Sequence, residues 1–161
     1  GLRFFTVYGP WGRPDMAPWL FTQAIAEGRP IDVFNEGRML RDFTFVDDIA
    51  DGVLRVLDKP ATPDPAFDPA SPDPATSHAP WRLFNIGNSQ PVPLLEFIAA
   101  IEAALGRPAV QRRLPMQPGD VVATAADTAA LEAWTGFRPA TPLREGVTRF
   151  VEWFRDHHRP R

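Results

Sequence analysis

RFFTVYGPWGRPDMAP, residues 3–18, is an apolar run that breaks into a Gly/Pro-rich loop holding one arginine. Leu2 to Tyr8 is apolar and aromatic on both parities, which suits a strand covered on both faces, as in a parallel sheet. After the loop, Trp19, Leu20, Phe21, Ala24 and Ile25 keep helical spacing between Asp15 and Glu27, and Gly28 supplies a stop. A complete doubly wound domain opens on a strand, a Gly-rich turn and a helix. The 11 glycines here include no G-x-G-x-x-G, and Gly9 and Gly12 merely flank Pro10 and Trp11. The opening is therefore read as the middle of a larger fold.

Outward from this unit the pattern stays mixed. PIDVF (residues 30–34) and DFTFV (residues 42–46) read as short strands joined by the turn-rich NEGRMLR. VDDIADGVLRVLD reads as a helix with acids at its start and Ile49, Val53, Val56 and Leu57 on its inner face. Residues 59–80 form a Pro/Asp/Ala tract without periodicity, expected to be an exposed, flexible excursion within one domain. WRLFNIGN predicts a strand, the spacing of Leu94, Phe97, Ile98, Ile101 and Leu105 a helix stopped at Gly106, and AVQRRLP another strand. Two helices close the chain, one over 128–134 and one over 142–158 that buries Val147, Phe150, Val151 and Phe154. No internal repeat is evident, and the class is α/β.

Composition narrows the functions. The 161 residues, 44% hydrophobic and 23% charged, are sized for about one globular domain. Absence of cysteine excludes a disulfide framework, thiolate metal sites and a cysteine nucleophile, and is compatible with a cytoplasmic setting. A net charge of -3 gives no basic footprint for nucleic acid, and no apolar run approaches a membrane span. The chain reads as soluble. Its single lysine, Lys59, among 17 basic residues, with 19 prolines, reflects coding bias rather than chemistry.

Three loops carry candidate chemistry. GPWGRPDMAP leads from strand to helix, so backbone N–H groups and the positive helix end suit a phosphate, and Arg13 adds a fork for an oxyanion. The bland alternative is an ordinary turn with a solvated arginine. FNEGRMLRDFTF brings Phe34, Arg41 and Phe43 near one another, an arrangement that stacks a base and binds its phosphates, or else a hairpin with core aromatics. MQPGD offers Asp120 after a tight turn, able to accept from two ribose hydroxyls, although turn aspartates commonly serve only the turn. His78, His157 and His158 lack ligand spacing, the Pro-spaced acids do not form a calcium loop, and no metal site is proposed.

Together LRFFTVYGPWGRPDMA, FNEGRMLRDFTFVDDIADGV, FNIGNSQPVPLLEFI, LPMQPGDVVATAADTAAL and GFRPATPLREGVTRFVEWFR closely resemble the C-terminal half of UDP-glucuronate 4-epimerases, extended short-chain dehydrogenases/reductases. The resemblance covers essentially the whole chain. It implies that residues 1–161 hold the end of a Rossmann-like parallel sheet and a small mixed α/β substrate-binding domain, with the NAD-binding half absent. It also implies a UDP-sugar substrate, an NAD cofactor, and a homodimer for the complete enzyme but not for this fragment. The family's Tyr-x-x-x-Lys is missing, since Gly12 stands four residues after Tyr8, the only tyrosine; no catalytic residue is assigned and the fragment is expected to be inactive.

The same resemblance implies roles for residues present. Thr6 and Arg13 match positions that hold the sugar carboxylate, Phe34 one beside the uracil, Arg41 one at the diphosphate, and Phe43 a pocket neighbour. Backbone at Met16 and Ala17 faces the pyrophosphate, Asp120 matches a ribose acid, and Gln117 stands where related epimerases carry arginine. Phe4 matches a position near the nicotinamide. Val122 and Ala125 depart from the family's proline and tyrosine. Rival readings are a dehydratase or decarboxylase of the same superfamily, and a non-catalytic nucleotide-sugar-binding module or truncated remnant.

Overall fold

In the computed structural model, which describes residues 1–158, the opening strand is split. β1 (Leu2–Phe4) runs parallel to β6 (Phe84–Ile86), and β2 (Thr6–Tyr8) runs parallel to β5 (Phe43–Phe45). The strand thus changes partner at Phe5, whose N–H still reaches the Ile86 carbonyl at 3.4 Å. The expectation of cover on both faces fails for β1: Leu2 packs on the smaller core cluster, but Arg3 is exposed and Phe4 is 49% exposed. Tyr8, at the far end, is buried.

α1 (Ala17–Glu27) begins with Pro18 inside its first turn, where the missing N–H is harmless, and ends at Gly28 with φ 73°. The αL conformation lets the Gly28 N–H return to the carbonyls of Ala24 and Ile25. β3 (Ile31–Val33) follows, then a tight 3₁₀ turn over Phe34–Gly37, β4 (Leu40–Arg41) and β5. The hairpin alternative is not what forms. β3 instead pairs in parallel with β8 (Gln111–Arg113), and β4 pairs antiparallel with β7 (Val92–Pro93). Partners about 80 residues away for β3 and about 50 for β4 thereby fix both sides of the turn.

α2 (Val46–Asp58) carries Asp47 and Asp48 in its first turn, as its dipole favours, and buries Ile49. Val53 and Val56 are half-buried, but Leu57, expected inside, is 70% exposed. Residues 59–80 carry neither helix nor strand, yet turns tie them together. Asp64, Asp68 and Asp73 each accept from the N–H two residues on, and Asp64 meets Arg82 at 3.4 Å.

α3 (Leu94–Leu105), α4 (Ala129–Thr135) and α5 (Leu143–His157) complete the chain. The main core joins α1, α3 and α5 to β2, β3 and β5 through Ile25, Phe45, Phe97, Ile98, Ile101 and Val147. Phe43 stacks on Phe97 at 4.0 Å between centroids, and Tyr8 meets both edge-on. A smaller cluster unites Ile49, Phe84, Ile86 and Leu131. Gly146 in α5 is where the Tyr8 ring enters: a Cβ there would collide with the Tyr8 hydroxyl and the Phe45 ring. Gly146→Ala is expected to cost about 2 kcal/mol, overpacking outweighing the roughly 1 kcal/mol gained in helix propensity. A fall in the midpoint of urea unfolding checks this.

Candidate functional site

A cavity of about 260 Å³ lies between the start of α1 and the β3 to β5 region. Thr6 enters it from β2, Met16 and Ala17 from the head of α1, Phe34 from the turn after β3, Arg41 and Phe43 from β4 and β5, and Asp120 from the loop after β8. The head of α1 lies beside this cavity with no side-chain cap and no acidic residue in its first turn, so its own side chains leave the positive dipole end uncompensated. Phe34 is held by an unusual backbone: Asn35, Glu36 and Gly37 all take positive φ, of 49°, 54° and 80°. Gly37 is required, since a Cβ there would meet the Leu95 side chain.

Arg41 and Asp120 find each other. Arg41 Nη2 donates to Asp120 Oδ1 at 2.8 Å, with side chains 17% and 31% exposed. Arg41 Nη1 also donates to the carbonyls of Leu40 and Val122, at 2.9 and 3.3 Å. Gly119 takes φ 81° to make the turn, and the Asp120 N–H closes it on the Gln117 carbonyl at 3.3 Å. Gln117 itself is exposed and lines no part of this cavity.

Arg13 and Phe4 lie beside an adjoining cavity of about 370 Å³, with Met16 forming a wall of both. Arg13 is exposed and forks onto Asp15, Nε to Oδ1 at 3.1 Å and Nη2 to Oδ2 at 2.6 Å. That pairing raises the arginine and holds the Asp15 carboxyl below its ordinary range. Thr6 and Arg13 are therefore on neighbouring cavities rather than one.

Three things were not foreseen. Asp32 and Met39 also line the main cavity. Asp32 sits between buried Ile31 and Val33, so alternation in PIDVF was the available signal for a side chain facing away from the core. Its carboxyl is held low by Arg112, whose Nε approaches to 2.5 Å. The third is Asp42, fully buried between Arg41 and Phe43. Its carboxylate accepts from the backbone N–H of Asn88 at 3.1 Å, Ser89 at 3.1 Å and Ala126 at 2.8 Å, joining β5 to two loops. A charged residue amid a strand of phenylalanines, which must have partners if buried, was the cue.

A larger cavity, about 550 Å³, lies among α1, α3 and α5. Its arginines are employed as helix caps: Arg107 donates to the Ala26 carbonyl and Arg155 to the Leu105 carbonyl, each at 2.8 Å. It too gathers aromatic, cationic and acidic side chains (Trp19, Phe154, Arg107, Arg155 and Glu27), but both guanidiniums are committed to helix carbonyls and Glu27 to Arg29. Tyr8, the sole tyrosine, is raised well above its ordinary value by burial and by Asp48 and Glu145, which suits a core phenol and not a proton-accepting tyrosinate. Among the described residues no helix is long and apolar enough to cross a membrane.

Residues 1–68 match the NAD dependent epimerase/dehydratase family. The chain is 53% identical over 159 residues to an uncharacterized 37.6 kDa protein of Escherichia coli O111:H-, covering 99% of this chain and 48% of that protein. It is 50% identical over 158 residues to a probable UDP-glucuronate 4-epimerase of Rhizobium meliloti (strain 1021), covering 98% and 46%. Among solved structures, a UDP-glucuronic acid 4-epimerase from Bacillus cereus in complex with UDP-glucuronic acid and NAD aligns with a TM-score of 0.78 at 27% identity, over 96% of this chain and 44% of that one. The chain spans about half the length of the curated relatives it matches. Its mixed α/β architecture, with parallel strand pairs, is that of the corresponding part of such an enzyme.

Proposed function

We propose that this chain, a relative of the NAD-dependent epimerases and dehydratases, is the substrate-binding portion of a nucleotide-sugar 4-epimerase of the UDP-glucuronate type. The observation that carries the reading is the smaller cavity, where three aromatic rings, the Arg41 guanidinium, two carboxylates (Asp120, paired with Arg41, and Asp32, paired with Arg112) and an uncapped helix start converge. That is the chemistry of a nucleoside diphosphate: a base against Phe34, with Phe43 beside it, a diphosphate at Arg41 and the N–H groups near Met16 and Ala17, and ribose hydroxyls donating to Asp120. Gln117, exposed and outside this cavity, is given no contact to the diphosphate.

Thr6 and Arg13 take the sugar carboxylate across the Met16 wall. The exposed Arg13–Asp15 pair is cheap to exchange for a substrate oxyanion. Gripping the carboxylate has a chemical reason: a uronate oxidised at C4 is a β-keto acid, and holding its carboxylate away from the decarboxylating geometry prevents the C5–C6 cleavage that would release carbon dioxide while the sugar rotates. NAD would supply the hydride acceptor and donor for oxidation and re-reduction at C4. Phe4 is where the dinucleotide meets this chain, which offers one wall but no Gly-rich phosphate turn. The exposed surface of β1 is where the remainder of such an enzyme covers Phe4. Residues 1–161 are thus one portion of an epimerase domain, with 59–80 an insert, in a cytoplasmic enzyme that dimerises when complete.

By itself the 161-residue chain carries no Tyr-x-x-x-Lys pair and is expected to leave UDP-glucuronate unconverted when supplied with NAD. Calorimetric titration tests the binding half of the proposal. UDP-glucuronate is expected to bind, and Arg13→Ala to weaken it about tenfold while leaving UDP unchanged. Equal weakening of both ligands would remove Arg13 from the sugar, and failure of UDP to bind the folded protein would overturn the assignment.

A further inference from the structure

Trp11 is 79% exposed and has φ 62°, in the left-handed region that a bulky residue occupies only when its surroundings impose it. Its ring lies 5.3 Å from both Trp153 and His157 of α5. Those two rings stack on one another at 5.1 Å, and Trp153 also meets Trp19 of α1 at 5.8 Å. The His157 Nδ1 lies 2.9 Å from the Trp153 carbonyl, which fixes the histidine against its own helix. Trp11 is two residues before Arg13, whose side-chain partner among the described residues is the exposed Asp15. At its start the loop rests on Val46 through Gly9, but further along it is the indole that reaches a distant element.

We propose that Trp11, Trp153 and His157 form an aromatic clasp by which the C-terminal helix holds the Arg13 loop, making Trp11 and Trp153 positioning residues for carboxylate-bearing sugars. The specificity part rests on the function proposed above. The clasp joins the two ends of the sequence: the loop cannot hold a single Arg13 geometry from local bonds alone, whose closures are Gly12 N–H to the Gly9 carbonyl and Met16 N–H to the Arg13 carbonyl. An edge-on and tilted aromatic contact supplies the missing tether. It also accounts for an indole left largely in solvent yet held in a strained backbone state.

The test is amide hydrogen exchange on the 161-residue chain and its Trp153→Leu, Trp11→Asn and doubly substituted forms. Asparagine tolerates the left-handed conformation, so Trp11→Asn removes the ring without adding backbone strain, and this exposed position leaves the core untouched. Each single substitution is expected to speed exchange at Gly12 and Met16 about fivefold, with no further gain in the double form, while Val147 and Phe150 keep their protection. Unchanged exchange at Gly12 and Met16 in Trp11→Asn, or additive effects in the double form, would overturn the clasp. In titrations the same substitutions are expected to weaken UDP-glucuronate and spare UDP; equal weakening of both would overturn the positioning role. If the wild-type chain binds neither ligand, the function proposed above fails while exchange still decides the clasp.

Discussion

Arg41→Ala is expected to reduce affinity for UDP by about 30- to 150-fold, the equivalent of about 2–3 kcal/mol lost with one charge-assisted contact to the diphosphate. In the unliganded cavity Arg41 already holds Asp120 at 2.8 Å, so the nucleotide must take over a partner that the protein supplies itself. This makes the two sides of the pair unequal. Arg41→Ala removes the cation from the diphosphate and leaves the Asp120 carboxylate without its counter-charge, beside an incoming anion. Asp120→Asn costs the ribose a charged acceptor but frees Arg41 for the phosphates, and a loss of only about fivefold is expected. Titration with UDP checks both, and an Asp120→Asn effect as large as that of Arg41→Ala would contradict the roles given to them.

Asp42→Ala is expected to be among the most damaging single substitutions, lowering unfolding stability by about 3–5 kcal/mol. Three backbone N–H groups, from Asn88, Ser89 and Ala126, converge on this one buried carboxylate. Removing it strands them away from water, at about 1–3 kcal/mol for each donor left unsatisfied. Thr44 offsets part of the loss, because its hydroxyl also accepts from the Asn88 N–H at 3.0 Å. The loop through Ala126 is the one that carries Asp120, so surviving folded protein is expected to bind UDP more weakly. Denaturant unfolding of Asp42→Ala and Asp42→Asn measures this, with asparagine retaining one acceptor and a smaller loss; a midpoint within error of wild type would remove Asp42 from the scaffold.

Local physics made the helices legible. Gly28, Gly106 and Gly136 end them with φ near 70°, as stop signals in the sequence indicate, and Val147, Phe150, Val151 and Phe154 are buried at the spacing read for α5. The pairing of strands was not legible, since β3 and β8 recognise one another across 80 residues and nothing within PIDVF names its partner. Leu57 and Phe4 are exposed for a related reason: periodicity reports that a face is apolar, not what covers it. At the site, Phe34, Arg41, Phe43 and Asp120 were recognisable by residue type and by resemblance, and they share one cavity. Their mutual ion pair, the separate cavity beside Arg13 and the role of Asp42 depend on contacts between loops far apart in sequence, and only coordinates disclose them.

The most direct measurement of the central claim is a titration of the isotopically labelled chain with UDP, followed by backbone chemical shifts. Saturable shifts at Ala17, Phe34, Arg41, Phe43 and Asp120 are expected, with Leu105, Arg107 and Phe154 of the larger cavity unmoved. Shifts confined to those three residues, or none at millimolar UDP in a folded protein, would contradict a nucleotide-sugar site between α1 and β5.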